Sequence, residues 1–230
     1  MEMKKIVVCG DSFCASSKHN RHHFSQILED EYGYVVTILA RGSASNTNVC
    51  FQIQEAIKMS PDIVVYSRPE SARLDISVAN KPFDLKLGLK NFIHVNADET
   101  SHDSPLSGDL TAPFYSSGIG SLLSMVPAPF YKKQISLSDN QLEAVRMYMT
   151  FIYDRNLKDE TDRWASEYWE YQLTQNNIVS ILFNTVGHVA YEFAKNTPRY
   201  PAIYHTDPAT QSIVANHIHQ EIQKKGCNLQ

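Results

Sequence analysis

"VVCGDSFCAS", residues 7–16, sets two β-branched residues and a cysteine ahead of a Gly-Asp-Ser triplet and follows the triplet with small side chains. The run from Lys5 to Gly10 is apolar without polar alternation, the pattern of a short strand buried on both faces of a parallel sheet. Gly10 ends the run, so Asp11 and Ser12 stand where a strand gives way to a turn. In parallel α/β sheets ligands gather outside the carboxyl ends of the strands. Two readings of Ser12 follow. Asp and Ser are ordinary turn and cap residues, and a serine at a strand-to-helix turn is also a candidate acyl-transfer nucleophile, its hydroxyl attacking while its own N–H supports the developing oxyanion.

Downstream of the triplet the chain alternates regularly. Between His22 and Tyr32, Phe24, Ile27, Leu28 and Tyr32 recur at helical spacing, and Gly33 can end that helix. "YVVTIL" (34–39) is a second β-rich run, residues 46–59 put Val49, Ile53, Ala56 and Ile57 on one helical face, and "PDIVVYS" (61–67) is a third strand. Strands separated by single helices pair in parallel, because each crossover returns across the sheet. The expected class is therefore α/β: a three-layer α/β/α sandwich with a mostly parallel sheet, flavodoxin-like in its layering.

The rhythm breaks near residue 75. Pro82, Pro105, Pro113, Pro127 and Pro129 punctuate a stretch without sustained period, and about 76–175 reads as an insertion or lid, partly helical, within one domain spanning 1–230. Ser138 and Gln141 form a capping box ahead of a stripe of Leu142, Val145, Met149 and Ile152. A further helix over about 158–175 carries Trp164, Tyr168 and Tyr171 at i, i+4 and i+7, a stripe expected to face the core. "NNIVSILFNT" (176–185) and "YPAIYH" (200–205) resume the sheet, and 208–224 is a closing helix.

Composition excludes several function classes. With 21 basic and 25 acidic residues well mixed over 230, no electrostatic footprint of a nucleic-acid binder exists. The apolar run at the N-terminus is too short for a signal peptide or a membrane span. Cys9, Cys14, Cys50 and Cys227 lack CxxC spacing and read as reduced thiols of a cytoplasmic protein. Neither His19, His22 and His23 nor His217 with His219 brings the partners of a metal site, so no metal is expected. No phosphate-cradling glycine loop occurs.

Near the C-terminus "YHTDPATQSIVANHIHQEI" (204–222) puts His205 after a short apolar run and before a helix, the same rim of the sheet as Ser12. A histidine there can take the Ser12 proton and return it to the leaving group. The pairing of the Gly-Asp-Ser turn with this His resembles the SGNH (GDSL-type) hydrolases over about 1–75 and 176–224, and the truncated motifs with a long middle segment resemble divergent phage-encoded members. The resemblance implies Ser12 as nucleophile and His205 as base. It also implies an oxyanion hole built from the Ser12 amide and an amide of "LARGSASNTN" (39–48), with Gly42, Ser43 and Ser45 as backbone candidates and Asn46 as a side-chain candidate. Ser45 and Asn46 equally suit a helix N-cap.

Two features depart from the family pattern. Its Gly-x-Asn-Asp block after the third strand is replaced by "VVYSRPESARLD" (64–75), with Pro69 and Ser71 where the Gly and Asn would stand, so Ser71 is the remaining candidate donor. Losing one oxyanion donor typically costs about 100- to 1000-fold in kcat. The acid usually three residues before the histidine is replaced by Ala202, which leaves Asp207, also a natural helix-start residue, as the candidate His-orienting acid.

The resulting expectation is a serine esterase acting on a small-molecule or carbohydrate ester, an O-acetyl group included, through an acyl-enzyme on Ser12. It requires no cofactor, no nucleic acid and no membrane, and leaves homo-oligomer formation open. The alternative is an SGNH-fold binding or assembly protein that has lost the chemistry.

Overall fold

The computed structural model describes residues 3–11, 14, 15, 23–40, 44–69, 73–77, 114–118, 140, 143, 144, 147, 148, 151–183 and 208–226. Along the chain these form β1 (Lys5–Cys9), α1 (Phe24–Asp30), β2 (Val35–Ile38), α2 (Asn46–Lys58), β3 (Ile63–Ser67), β4 (Arg73–Ser77), β5 (Phe114–Gly118), α3 (Arg155–Gln175), β6 (Val179–Phe183) and α4 (Pro208–Lys224).

The main sheet has the order β2-β1-β3-β6 and every pairing in it is parallel, with Val7 of β1 between Thr37 and Val64 and Val65 of β3 opposite Ile181. The unbroken apolar runs have a direct cause. Ile6, Val8, Ile63, Val65 and Ile181 pack on one face with Phe24 and Leu28 of α1 and Val214, Ile218 and Ile222 of α4. Val7, Cys9, Val64 and Tyr66 pack on the other with Val49, Ile53 and Ala56 of α2 and Leu173 of α3. Both faces are covered, so successive strand residues are all apolar. The result is a three-layer α/β/α sandwich. Each fully buried aliphatic side chain in it contributes about 1.5–3 kcal/mol by leaving water.

Helix ends follow local chemistry. The Ser45 hydroxyl accepts from the Asn48 N–H at 3.2 Å and caps α2, so of the two cap candidates Ser45 takes the role. At the end of α1 the Gly33 and Tyr34 N–H groups return to the Glu29 and Leu28 carbonyls, and Gly33 adopts φ +70°, which a side chain would resist. α1 itself is shorter than its periodicity suggests, because the chain enters it only at Phe24.

The middle segment is richer in structure than its prolines suggest. β4 and β5 pair antiparallel, with Ile76 opposite Tyr115. α3 starts at Arg155 rather than near 158, since the Asp154 carboxylate accepts from the N–H groups of Asn156 and Leu157 at 2.8 and 3.1 Å. Asn140, Glu143, Ala144, Met147, Tyr148 and Phe151 are helical, as the capping-box segment requires, while Ser138, Gln141, Leu142, Val145 and Met149 lie outside the described residues. Ile152, the last member of the stripe read there, is exposed rather than inward. The strand expected at 200–205 also lies outside the described residues.

One expectation is reversed. Trp164, Tyr168 and Tyr171 keep 55%, 55% and 58% of their surface exposed, so the aromatic stripe of α3 faces away from the core. The helix buries instead the face carrying Asp162 and Leu173. Helical spacing reports a shared face, and here the inward one is set by Leu173 against α2 and the sheet. Trp164→Ala, Tyr168→Ala and Tyr171→Ala are each expected to shift unfolding stability by about 0.5 kcal/mol or less, against about 2–5 kcal/mol for Leu173→Ala. Urea midpoints of the four variants test this, and comparable losses in the aromatic variants would contradict the assignment of faces.

Candidate active site

In the strand order β2-β1-β3-β6 the chain moves outward from β1 in one direction to β2 and in the other to β3 and β6. Neighbouring crossovers therefore diverge above the carboxyl ends of β1 and β3, the crevice in which open α/β sheets bind ligands. Gly10 and Asp11 leave β1 at that point, and Ser67, Arg68 and Pro69 leave β3 beside them.

The turn after β1 is tightly specified. The Asp11 carbonyl accepts from the N–H groups of Cys14 at 3.0 Å and Ala15 at 2.9 Å. Gly10 is held on both of its backbone groups by one side chain: its N–H donates to Gln52 Oε1 at 2.6 Å, and Gln52 Nε2 donates to its carbonyl at 3.2 Å. Gln52 is fully buried on α2. A buried amide with both ends satisfied is a stable and directional clamp.

Gly10 also lies against the end of β3. A Cβ on it would lie 2.3 Å from Ser67 Oγ, 2.7 Å from Cys14 Sγ and 2.9 Å from Cys14 Cβ, and its φ is +149°. The Cys14 thiol is buried, and burial together with the Asp11 charge pushes its pKa well up. It is therefore no thiolate nucleophile at neutral pH. Burial likewise pushes the Tyr66 phenol up to about 12.

The β2 side contributes Ala44, Ser45 and the start of α2. Asn46 is buried and its Nδ2 donates to the Pro69 carbonyl at 2.9 Å and to Asp162 Oδ2 at 2.7 Å. Both amide protons are thereby spent, and the opposite orientation would set its oxygen against two acceptors. Sequence reading offers this amide to an oxyanion; in the structure two protein acceptors take its two N–H bonds. Asp162 carries a second contact through Oδ1, to the Lys158 ammonium.

Ser12, Gly42, Ser43, Ser71, His205 and Asp207 lie outside the described residues. The helix that follows His205 is α4, and its Gln211 is buried with Oε1 accepting from the Phe24 N–H at 2.8 Å. That bond ties the starts of α1 and α4 together. His23 caps α1: its Nδ1 accepts from the Ser25 N–H at 3.3 Å and meets Ser25 Oγ at 2.7 Å. Because an N–H can only donate, Nδ1 carries the lone pair, and the neutral ring is protonated on Nε2. His219 stacks on Tyr32 and meets the Tyr34 hydroxyl at 3.0 Å through Nδ1, a packing role. Among the described residues no group of three or more His, Cys, Asp or Glu is arranged to hold a metal, and no helix is long and apolar enough to cross a membrane.

Two residues at this rim escaped sequence reasoning. Gln52 left one trace, a polar residue beside the apolar face of Val49, Ile53 and Ala56. Asp162 left none, because α3 is rich in exposed charge.

The class defined so far is a three-layer α/β/α protein with a built turn at the strand-order reversal. Solved structures that the chain resembles include that of a protein assigned to the G-D-S-L family of lipolytic proteins from Desulfitobacterium hafniense DCB-2, with TM-score 0.37, 10% identity, and coverage of 94% of this chain and 98% of that one. A psychrotrophic esterase from Pseudoalteromonas sp., inhibited by monoethylphosphonate in that structure, gives TM-score 0.42 and 11% identity over 98% of this chain and 100% of that one. A protein assigned as an acylhydrolase from Bacteroides fragilis NCTC 9343 gives 0.34 and 14% over 96% and 88%. No family model and no curated protein matches the chain. The architecture itself rests on the strand order and layers described above.

Proposed function

We propose that this chain is a serine ester hydrolase of the SGNH type, with Ser12 as nucleophile and His205 as general base and acid. The observation that carries the reading is the turn at Gly10 and Asp11: it stands at the strand-order reversal, is clamped by Gln52 and is pressed against the end of β3. Such expense of buried polar contacts on one turn suits a residue whose position must be fixed, and the next residue is Ser12.

In this reading Ser12 Oγ attacks the acyl carbon while His205 takes its proton. The tetrahedral oxyanion is held by the amides of Ser12 and Gly42, with the Ser71 hydroxyl as the side-chain donor. Collapse expels the alcohol, which receives the proton from His205. Water then repeats the sequence on the acyl-enzyme and releases the acid. Ala202 stands where the family's acid would, so Ser12 and His205 act as a dyad, with Asp207 the candidate orienting carboxylate. The substrate class is a small-molecule or carbohydrate ester with a short acyl group such as acetyl, and no cofactor enters the chemistry. Cys9 and Cys14 are buried thiols, which supports a cytoplasmic setting.

The second reading, a binding or assembly protein without turnover, is favoured by one observation: the Asn46 amide is committed to Pro69 and Asp162. An alkyl fluorophosphonate probe separates the two. Stoichiometric labelling of the folded protein, mapped by peptide mass to Ser12 and absent in Ser12→Ala, is expected. Folded protein that takes no label, with p-nitrophenyl acetate turnover equal in wild type and Ser12→Ala, would leave the binding role.

A further inference from the structure

We infer that Asp162 is a positioning residue for the oxyanion side of this site, acting through Asn46 on the chain that leaves β3. The inference rests on the esterase reading above. Asp162 lies on α3, in the segment between β3 and β6 that no motif covers, and it is buried. Its Oδ2 accepts from Asn46 Nδ2 at 2.7 Å, and the same Nδ2 donates at 2.9 Å to the carbonyl of Pro69, two residues beyond β3. A carboxylate, an amide and a carbonyl thus join three segments, α3, the first turn of α2 and the exit of β3. All three meet beside the carboxyl ends of β1 and β3, where Ser67 packs on Gly10.

The chemistry of the relay requires an acceptor at position 162. An ionised carboxylate only accepts, so it fixes which end of the Asn46 amide faces Pro69. Its charge is answered one turn earlier on the same helix by Lys158, which makes the burial tolerable. The chain leaving β3 lacks the family's Gly-x-Asn-Asp pattern, and it is held at Pro69 by Asn46 and Asp162. Asp162 touches no substrate in this scheme. It fixes where the chain stands at Pro69 as it leaves β3.

The test uses the full chain with a fluorophosphonate probe and p-nitrophenyl acetate, comparing wild type with Asp162→Ala, Asp162→Asn, Asn46→Ala and the Asn46→Ala/Asp162→Ala double variant. Asp162→Ala is expected to slow acylation and lower kcat by about 10- to 100-fold while KM stays within about twofold. Asp162→Asn, which keeps an acceptor for Asn46 and loses the charge, is expected to recover most of that rate. The double variant is expected to be no slower than Asn46→Ala, as one relay demands.

A labelled wild type with Asp162→Ala reacting at the same rate overturns the inference alone. So does a rate that follows thermal stability across the set, with Asp162→Asn as slow as Asp162→Ala. A wild type that takes no label overturns the esterase reading and this inference with it. Should Asp162→Ala not fold, Asn46→Ala and Asp162→Asn still give opposite expectations, a slow variant and a near-normal one.

Discussion

Alanine at Ser12 or at His205 is expected to reduce ester turnover to near background, and alanine at both is expected to cost no more than alanine at one. Residues that move one proton in one transition state act as a unit, so removing either forfeits the whole contribution. Where a full triad operates, loss of the serine or histidine costs about 10⁶-fold in kcat and loss of the acid alone about 10⁴-fold. Here the usual acid position is Ala202. A dyad without a carboxylate therefore starts about four decades lower, and the expected fall for Ser12→Ala is about 100-fold. A much larger fall would mean that Asp207 carries the full orienting role. Initial rates on p-nitrophenyl acetate for the two single variants and the double variant decide the matter. Additive losses, with the double variant far below both singles, would contradict a shared proton-transfer step.

The layers of the fold were legible because burial on both faces leaves a strong trace. Ile6 to Cys9, Ile63 to Tyr66 and the spacing of Val49, Ile53 and Ala56 all follow from apolar side chains lacking any polar alternative. The aromatic stripe of α3 misled for the converse reason. Trp164, Tyr168 and Tyr171 share a face, and periodicity alone does not say which face the sheet will cover. Leu173, with Trp169 half-buried against the same cluster, marks the face that is covered.

Of the site, the turn after β1 was legible, while Ser12 and His205 lie outside the described residues. A Gly-Asp-Ser triplet after a buried run marks the rim of a parallel sheet, and a side chain at Gly10 would run into Ser67 at the end of β3. What holds the rim in place was hidden, since Gln52 and Asp162 act across 42 and 116 residues of chain on Gly10 and Asn46. Polar contacts of that reach depend on how layers pack, and no local spacing encodes them. Asn46 illustrates the limit: the sequence offers its amide to an oxyanion, and the packing of α3 and the β3 exit claims both of its protons first.

The same geometry makes Gly10 a sensitive position for stability. A methyl group there would come within 2.3 Å of Ser67 Oγ and within 3 Å of both side-chain atoms of Cys14. Both neighbours are buried, Ser67 at the end of a strand buried along its length and Cys14 fully enclosed. The backbone at φ +149° adds strain for any residue with a Cβ. Overpacking costs about 1–3 kcal/mol and a strained φ about the same. Gly10→Ala is therefore expected to lose about 2–5 kcal/mol of a total near 5–15 kcal/mol, lowering Tm by about 5–15 °C. Ser67→Ala removes the nearest contact, so the Gly10→Ala/Ser67→Ala double variant is expected to regain part of the loss while the Cys14 contacts keep the rest. Thermal and urea unfolding of the three proteins measure this directly. Gly10→Ala with an unchanged midpoint would mean that β1 and β3 do not approach as described. A loss that Ser67→Ala leaves wholly unrelieved would assign the strain to the backbone and to Cys14. In either stable or rescued form, any displacement of the turn separates the Gln52 amide from the Gly10 backbone, so fluorophosphonate labelling at Ser12 should fall more steeply than stability does.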